Sequence, residues 1–276
     1  MPKETSKEIS KEIFSALVKE ALALSSSEPL LKSVLDEQIV FRSSFSEILA
    51  VGLSRKLASS FLSRSQLEIL FIRAYQENPT LVEDSAADLQ ATLNRDPACK
   101  SMLEPLLFFK GYQALQAYRI AHVFWKNNRF FLAEMLQSLI SQKFAVDIHP
   151  AAKIGRGILL DHATNLVIGE TARIGNDVSI LHGVTLGGTG KDSGNRHPKV
   201  SDGVMIGAHA QLLGNIHIGK GAKIGAGAVV LNDVPPHVTV AGVPAIKIGH
   251  PDCALPSLEM KQDFTRDFSS KQTTAK

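Results

Sequence analysis

The stretch VDIHPAAKIGRGILLDHATNLVIGETARIGNDVSILHGVTLGG (146–188) returns an aliphatic residue every six positions. Its anchors are Ile148, Ile154, Leu160, then Ile168, Ile174, Ile180 and Leu186; the rhythm resumes at Ile206, Leu212, Ile218, Ile224 and Val230. A helix would repeat its apolar stripe at about 3.6 residues, and an antiparallel strand would alternate at about 2, with turn signals between hairpins. A period of six with small residues between the anchors is the mark of a parallel β-helix, each hexamer forming one short side of a coil. Three hexamers close one triangular turn, so these twelve anchors predict about four turns. Four residues past each anchor the interior corner is tight. Ala152, Thr164, Ala172, Val178, Val184, Ala210, Ala222 and Ala228 suit it, whereas Ile158 and Ile216 are larger than expected there. Glycines in the Ile-Gly-x-Gly units serve the corners, where backbone angles unfavourable to a Cβ are needed.

Two faults break the rhythm. Leu160 to Ile168 spans eight residues where six are expected, and Leu186 to Ile206 spans twenty. The insert GGTGKDSGNRHPKVSDG (187–203) is polar, charged and glycine-rich. It cannot all lie in the coil and is expected to protrude as a loop.

Composition changes sharply along the 276 residues. Positions 145–263 hold no Phe, Tyr or Trp, and eighteen of twenty Gly lie between Gly155 and Gly249. Two packing problems are being solved, which puts a domain boundary near Ala145. The N-terminal half reads as helical. Ile9, Ile13, Phe14, Leu17, Val18, Ala21 and Leu22 mark an amphipathic helix over 7–24. Ser27 reads as the N-cap of a second helix that opens at Glu28–Pro29. Ser44…Glu47, Ser63…Gln66 and Thr80…Glu83 read as capping boxes, and Asn78–Pro79 ends a helix. Residues 105–127 and 129–143 read as two longer helices. Arg95-Asp96-Pro97-Ala98 between helices reads as an Asp-Pro turn.

The net charge of +3 calls for neither nucleic acid nor an anionic membrane. The two cysteines, Cys99 and Cys253, have no disulfide-like or metal-like spacing, which suits free thiols in a reducing cytoplasm. The Lys/Glu-alternating N-terminus fits neither a secretory signal nor a transit peptide, and no apolar run is long enough to span a membrane.

Chemistry is sought in the faults. Eight of the nine His follow residue 148. His209, His217 and His237 fall at exposed repeat or corner positions and read as solvated. His162 stands in the eight-residue step beside Asp161, about one coil from Asp147. Successive coils are about 4.8 Å apart, so a carboxylate on one can reach an imidazole on the next. That is the geometry of a general base oriented by an acid, and an imidazole of pKa about 6.5 suits proton abstraction from a hydroxyl near neutrality. Arg196 precedes His197 in the loop, and its fork could grip a carboxylate. A zinc site at His149, His162 and His182 is the alternative, but these do not recur at one coil position and no Cys assists. No metal is expected.

The blocks VDIHPAAKIGRGILLDHAT (146–164), IGETARIGNDVSILHGVTLGGTGK (168–191), RHPKV (196–200), KIGAGAVV (223–230) and AGVPA (241–245) resemble the serine O-acetyltransferase family of cysteine biosynthesis. RDPA (95–98) and KGYQALQAYRIAH (110–122) resemble its helical half. The resemblance covers about residues 28–250. It implies an α+β chain: an N-terminal helical oligomerisation domain (1–145), a left-handed β-helix catalytic domain (146–250) with the loop 187–203, and a mobile tail (251–276). It also implies acetyl transfer from acetyl-CoA to the hydroxyl of L-serine, giving O-acetyl-L-serine. His162 would be the base and Asp147 its partner. Asp96 and Asp161 would face the substrate ammonium, and Arg196 with His197 its carboxylate. CoA would lie against Gly188, Thr189, Ala208 and Ala226, with Lys223 and Lys247 near its phosphates. The resemblance further implies inhibition by L-cysteine, a homotrimer with sites between neighbours, and a dimer of trimers. Members that dock into O-acetylserine sulfhydrylase typically end in Ile; this sequence ends in Lys276, which argues against that complex. The alternatives are a hexapeptide-repeat acetyltransferase acting on another hydroxyl, such as a sugar's, and a scaffold that mainly binds the sulfhydrylase.

Overall fold

The computed structural model describes residues 3–190 and 193–262. The chain divides between Lys143 and Phe144 into two compact units.

The first unit is helical. α1 (Lys3–Ser27) runs through Ser27, whose hydroxyl bonds back to the Leu24 carbonyl at 3.2 Å; Ser27 therefore ends one helix and caps no second one. A short 3₁₀ turn (Pro29–Leu31), α2 (Lys32–Leu35) and a π-helical turn (Asp36–Val40) follow. Then come α3 (Phe45–Leu57), α4 (Arg64–Glu77), α5 (Thr80–Arg95), α6 (Leu103–Leu107), α7 (Lys110–Lys126) and α8 (Phe130–Phe144). Ser63 and Gln66 form a complete capping box. At Ser44 the hydroxyl accepts the Glu47 N–H, but the Glu47 carboxylate reaches Ser43 instead. Thr80 caps nothing, because Pro79 holds the N-cap position. The helix expected over 105–127 is broken at Phe108–Phe109, where both N–H groups turn back to the Glu104 carbonyl.

Apolar faces close over Leu17, Ile39, Phe45, Ile48, Phe71, Leu89 and Leu115, all buried. A polar network is buried with them. Asp88 is fully buried and takes Arg119 Nε at 2.9 Å and Nη2 at 2.8 Å, with Gln116 Nε2 at 3.0 Å. Ser85 Oγ in turn donates to Gln116 Oε1 at 2.7 Å. The neighbouring carboxylates Asp88 and Asp84 outweigh the desolvation of Arg119 and raise its pKa.

The second unit is the predicted parallel β-helix. Three sheets run along it. One contains β1 (Val146–Ile148), β4 (Leu166–Ile168), β7 (Thr185–Gly187), β10 (Gln211–Leu213) and β13 (Val229–Val230). The second contains β2 (Lys153–Ile154), β5 (Arg173–Ile174), β8 (Lys199–Val200) and β11 (His217–Ile218). The third contains β3 (Leu159–Leu160), β6 (Ser179–Ile180), β9 (Met205–Ile206), β12 (Lys223–Ile224), β14 (Thr239–Ala241) and β15 (Ile246–Gly249). Every pairing is parallel except β14 with β15. A short α9 (Pro256–Glu259) follows.

Register measures the coils. Val167 pairs with Thr185 and Gln211 with Val229, each eighteen residues on, the length of three hexamers. Val146 pairs with Leu166, twenty on, and Thr185 with Gln211, twenty-six on. The anchors are buried, except that Ile154, on the terminal strand β2, is half-buried. Val200, Val234 and Val240 are further buried anchors, so the coil makes about five turns rather than four. Val200 escaped the count because the insert displaces it from any multiple of six after Leu186. Strands β7 and β8 claim residues 185–187 and 199–200, so these parts of the expected insert belong to the coil.

Corners turn on left-handed residues. The corner before the first sheet stacks Ala145, Asn165, Gly183, His209 and Gly227, all with φ between 54° and 69°. Asn165 N–H bonds the Ala145 carbonyl at 2.8 Å, and Gly227 N–H bonds the Ala208 carbonyl at 2.8 Å. Gly183 has no substitute there: a Cβ would lie 2.3 Å from His209 Nδ1.

Candidate active site

The eight-residue step can be located atom by atom. Asp161 N–H bonds the Ile180 carbonyl, and Gly183 N–H bonds the Thr164 carbonyl. Asp161 therefore opposes Leu181, and Asn165 opposes Gly183. The two surplus residues are His162 and Ala163. Both adopt positive φ, 53° and 55°. Ala163 N–H reaches the Asp161 carbonyl at 2.5 Å, closing a γ-type turn around His162. A positive-φ γ-turn is rare and strained, and such strain concentrates at functional sites. The turn buckles outward: the His162 side chain is 76% exposed, while Ala163 is buried. Thr164, expected at the interior corner, is only half-buried; the register sets buried Leu166 there instead, level with Val146 and Val184.

His162 Nε2 lies 3.9 Å from Asp161 Oδ1, an ion-pair separation once the ring is protonated. Asp147 is half-buried on β1 between buried Val146 and Ile148. By strand alternation it points outward, one coil before Val167, its register partner. The His162 ring meets His182 edge to face, centroids 5.8 Å apart at 74°, and His182 meets His209 at 4.8 Å and 87°. His209 is thus exposed yet built into a column of three imidazoles, rather than merely solvated. The 20-residue spacing from His162 to His182, one coil plus its surplus pair, is the sequence signal for this column.

The protruding loop is tied down at its returning end. Thr171 Oγ1 accepts the backbone N–H of Arg196 at 3.0 Å and of His197 at 3.1 Å. It also lies 2.9 Å from His197 Nδ1, which accepts the Thr171 N–H at 3.1 Å. His197 is 7% exposed, and its ring covers Gly169, where a Cβ would fall 2.1 Å from Cδ2 and Nε2. Burial, reinforced by the Arg196 charge, lowers the His197 pKa. Arg196 Nη2 bonds Glu170 Oε2 at 2.8 Å, and its Nη1 bonds the Ser193 and Gly194 carbonyls at 3.2 Å. Gly169, Glu170 and Thr171 were not singled out in the sequence, because they sit in a regular repeat and gain their role only by facing the loop.

The His column and the loop flank opposite edges of the first sheet. A three-residue strand separates them by about 10 Å. Ala208 and Ala226 succeed one another on the corner below His182, a smooth wall, with Gly188 and Thr189 at the far edge of the sheet. Gly188 packs beside Arg196. Lys223 on β12 is buried, whereas Lys247 on β15 is exposed. Asp96 belongs to the helical unit, where its Oδ1 accepts the Ala98 N–H at 2.8 Å to close the Asp-Pro turn. His149 Nδ1 is taken by the Ala151 N–H at 3.1 Å. Among the described residues no three His, Cys, Asp or Glu converge on a metal position, and no helix is long and apolar enough to cross a membrane. Lys276 and most of the tail lie outside the described residues.

An exposed imidazole on a strained turn beside a carboxylate, next to a smooth wall, can take a proton from a small hydroxyl compound lying beside an extended co-substrate. Comparison with known proteins gives the family. Residues 13–117 match the family model described as serine acetyltransferase, N-terminal, and residues 197–232 match bacterial transferase hexapeptide repeats. The chain is 52% identical to the serine acetyltransferase of Escherichia coli (strain K12) over 89% of its length and 90% of that protein. The structure of the Vibrio cholerae serine acetyltransferase superposes with a TM-score of 0.91 at 49% identity, covering 92% of this chain and 99% of that one. A serine acetyltransferase complex with cysteine gives 0.90 at 50% identity, covering 92% and 98%. The soybean serine acetyltransferase complexed with serine gives 0.85 at 52% identity, covering 87% and 99%.

Proposed function

Because the chain belongs to the serine acetyltransferase family, we propose that it transfers the acetyl group of acetyl-CoA to the hydroxyl of L-serine, yielding O-acetyl-L-serine for L-cysteine biosynthesis. The observation that carries the mechanism is the insertion of His162, with Ala163, as the two surplus residues of its coil. A regular coil would keep the corner flat. The surplus pair lifts an imidazole into solvent, where it takes the serine hydroxyl proton. Asp147 orients that ring, and Asp161 receives the substrate ammonium. Arg196 and His197 hold the carboxylate, with Arg196 exchanging its Glu170 partner for substrate. CoA runs along Ala208, Ala226, Gly188 and Thr189, with Lys247 and Lys223 toward its phosphates.

The separation of His162 from Arg196 across the first sheet supports a site completed by a second chain. A single serine is too short to meet both groups of one coil, so the working unit is a homotrimer with sites between neighbours, assembled as a dimer of trimers through the helical domain. L-cysteine, the substrate with a thiol in place of its hydroxyl, competes for the same site. The enzyme works in the cytoplasm and needs no metal.

Release of CoA thiol from acetyl-CoA should depend on L-serine, fall on addition of L-cysteine, and drop by about 10²–10⁴ in His162→Ala. Wild-type turnover in that variant would end the base assignment. A mixture of His162→Ala and Arg196→Ala chains, refolded together, should regain activity that neither has alone. No regain would mean that each chain supplies its own complete site.

A further inference from the structure

We infer that His182 is a second catalytic residue, whose Nε2–H donates to the thioester carbonyl oxygen as it becomes an oxyanion; this rests on the reading of His162 as base. Three observations lead there. His182 stands one coil from His162, their rings edge to face with centroids 5.8 Å apart. Its Nδ1 is buried and makes no hydrogen bond. A proton on that nitrogen would be a buried donor with no acceptor, a rarer arrangement than a buried lone pair without a donor, which assigns the donor role to Nε2–H. The ring is also fixed, because His209 packs against its other side at 4.8 Å, an approach that the missing side chain of Gly183 permits.

The spacing suits acyl transfer. A reacting centre needs a base within hydrogen-bond reach of the nucleophile and a donor about 2.7–3.1 Å from the developing oxyanion. In a tetrahedral centre those two oxygens are held by one carbon, so two imidazoles on adjacent coils can serve them together. Serine Oγ adds to the carbonyl carbon while its proton passes to His162. The carbonyl π pair moves onto oxygen, where His182 Nε2–H meets it. Collapse restores the carbonyl and breaks the carbon–sulfur bond, and the departing thiolate takes the proton from the His162 imidazolium.

The test uses the full-length enzyme with acetyl-CoA and L-serine. His182→Phe keeps a ring against His162 and His209 but removes the donor, and His182→Gln restores a side-chain N–H. In His182→Phe kcat should fall by about 10²-fold, the worth of one oxyanion donor, with KM for both substrates nearly unchanged. The acidic limb of the pH–rate profile, which reports a base that must be unprotonated and is assigned here to His162, should stay where it is. His182→Gln should recover a substantial part of the loss. Turnover in His182→Phe within twofold of wild type, or equal losses in the Phe and Gln variants, would overturn the inference. His162→Ala measured alongside separates the two readings: if it is inactive while His182→Phe is not, only the oxyanion role falls.

Discussion

A Gly169→Ala substitution should undock the loop by displacing the ring of His197, which with Arg196 is proposed to hold the substrate carboxylate. Gly169 has no left-handed φ that reserves it for glycine, so the backbone accepts alanine. The ring above does not. The new Cβ would sit 2.1 Å from His197 Cδ2 and Nε2, where carbon atoms need about 3.5 Å. The imidazole must withdraw by more than an ångström. That takes Nδ1 out of range of the Thr171 N–H and hydroxyl, now at 3.1 and 2.9 Å. Two hydrogen bonds at about 1 kcal/mol each amount to about 2 kcal/mol of docking, or roughly 30-fold in an equilibrium. If the docked loop presents Arg196 to the serine carboxylate, KM for L-serine should rise by about that factor, with KM for acetyl-CoA changing far less. Steady-state kinetics with each substrate varied would read this directly. His197→Ala should show a similar rise, and the double variant no more than either single one, since both remove the same contact. A serine KM within twofold of wild type in Gly169→Ala would refute the coupling between loop anchor and substrate.

Asp88→Asn should strand the buried Arg119 guanidinium and destabilise the helical unit by about 3–5 kcal/mol, read as a lowered urea midpoint; an unchanged midpoint would show that the pair is not a structural keystone. Loop docking should also depend on pH. Folding lowers the His197 pKa below its ordinary 6.5, so the undocked loop binds protons better. Docking is complete above about 6.5 and weakens as pH falls from there toward the folded value. Limited proteolysis within 188–198 should therefore be faster at about pH 5.5 than at about pH 7.5, and equal or slower cleavage at the lower pH would contradict it.

Much of the fold was legible because a β-helix is written locally. Each anchor's burial depends on its own hexamer, and neighbours one coil away repeat it, so the six-residue period survives without knowledge of distant contacts. Where the period slips, reading fails. Val200 was missed because the loop resets the count, and the helix over 105–127 hid a break at Phe108–Phe109 that apolar periodicity cannot register. The cap assigned to Ser27 failed for a related reason: α1 continues through it, and packing rather than the local Ser-Glu-Pro pattern decides where that helix stops.

For the site, the residue types and their positions along the chain were determined by the sequence alone: a histidine in an eight-residue step, an arginine in an insert, a family pattern around both. Tertiary structure decided what those residues face. Only the register of coil on coil identifies His162 and Ala163 as the surplus pair, lines up His182 and His209 behind the first imidazole, and sets Arg196 against Glu170 on the far edge of a sheet. These relations join residues 20 to 27 positions apart whose contact depends on whether the intervening coil holds eighteen residues, twenty or twenty-six. Local pattern sets the length of each side; stacking those sides into a coil decides which side chains meet.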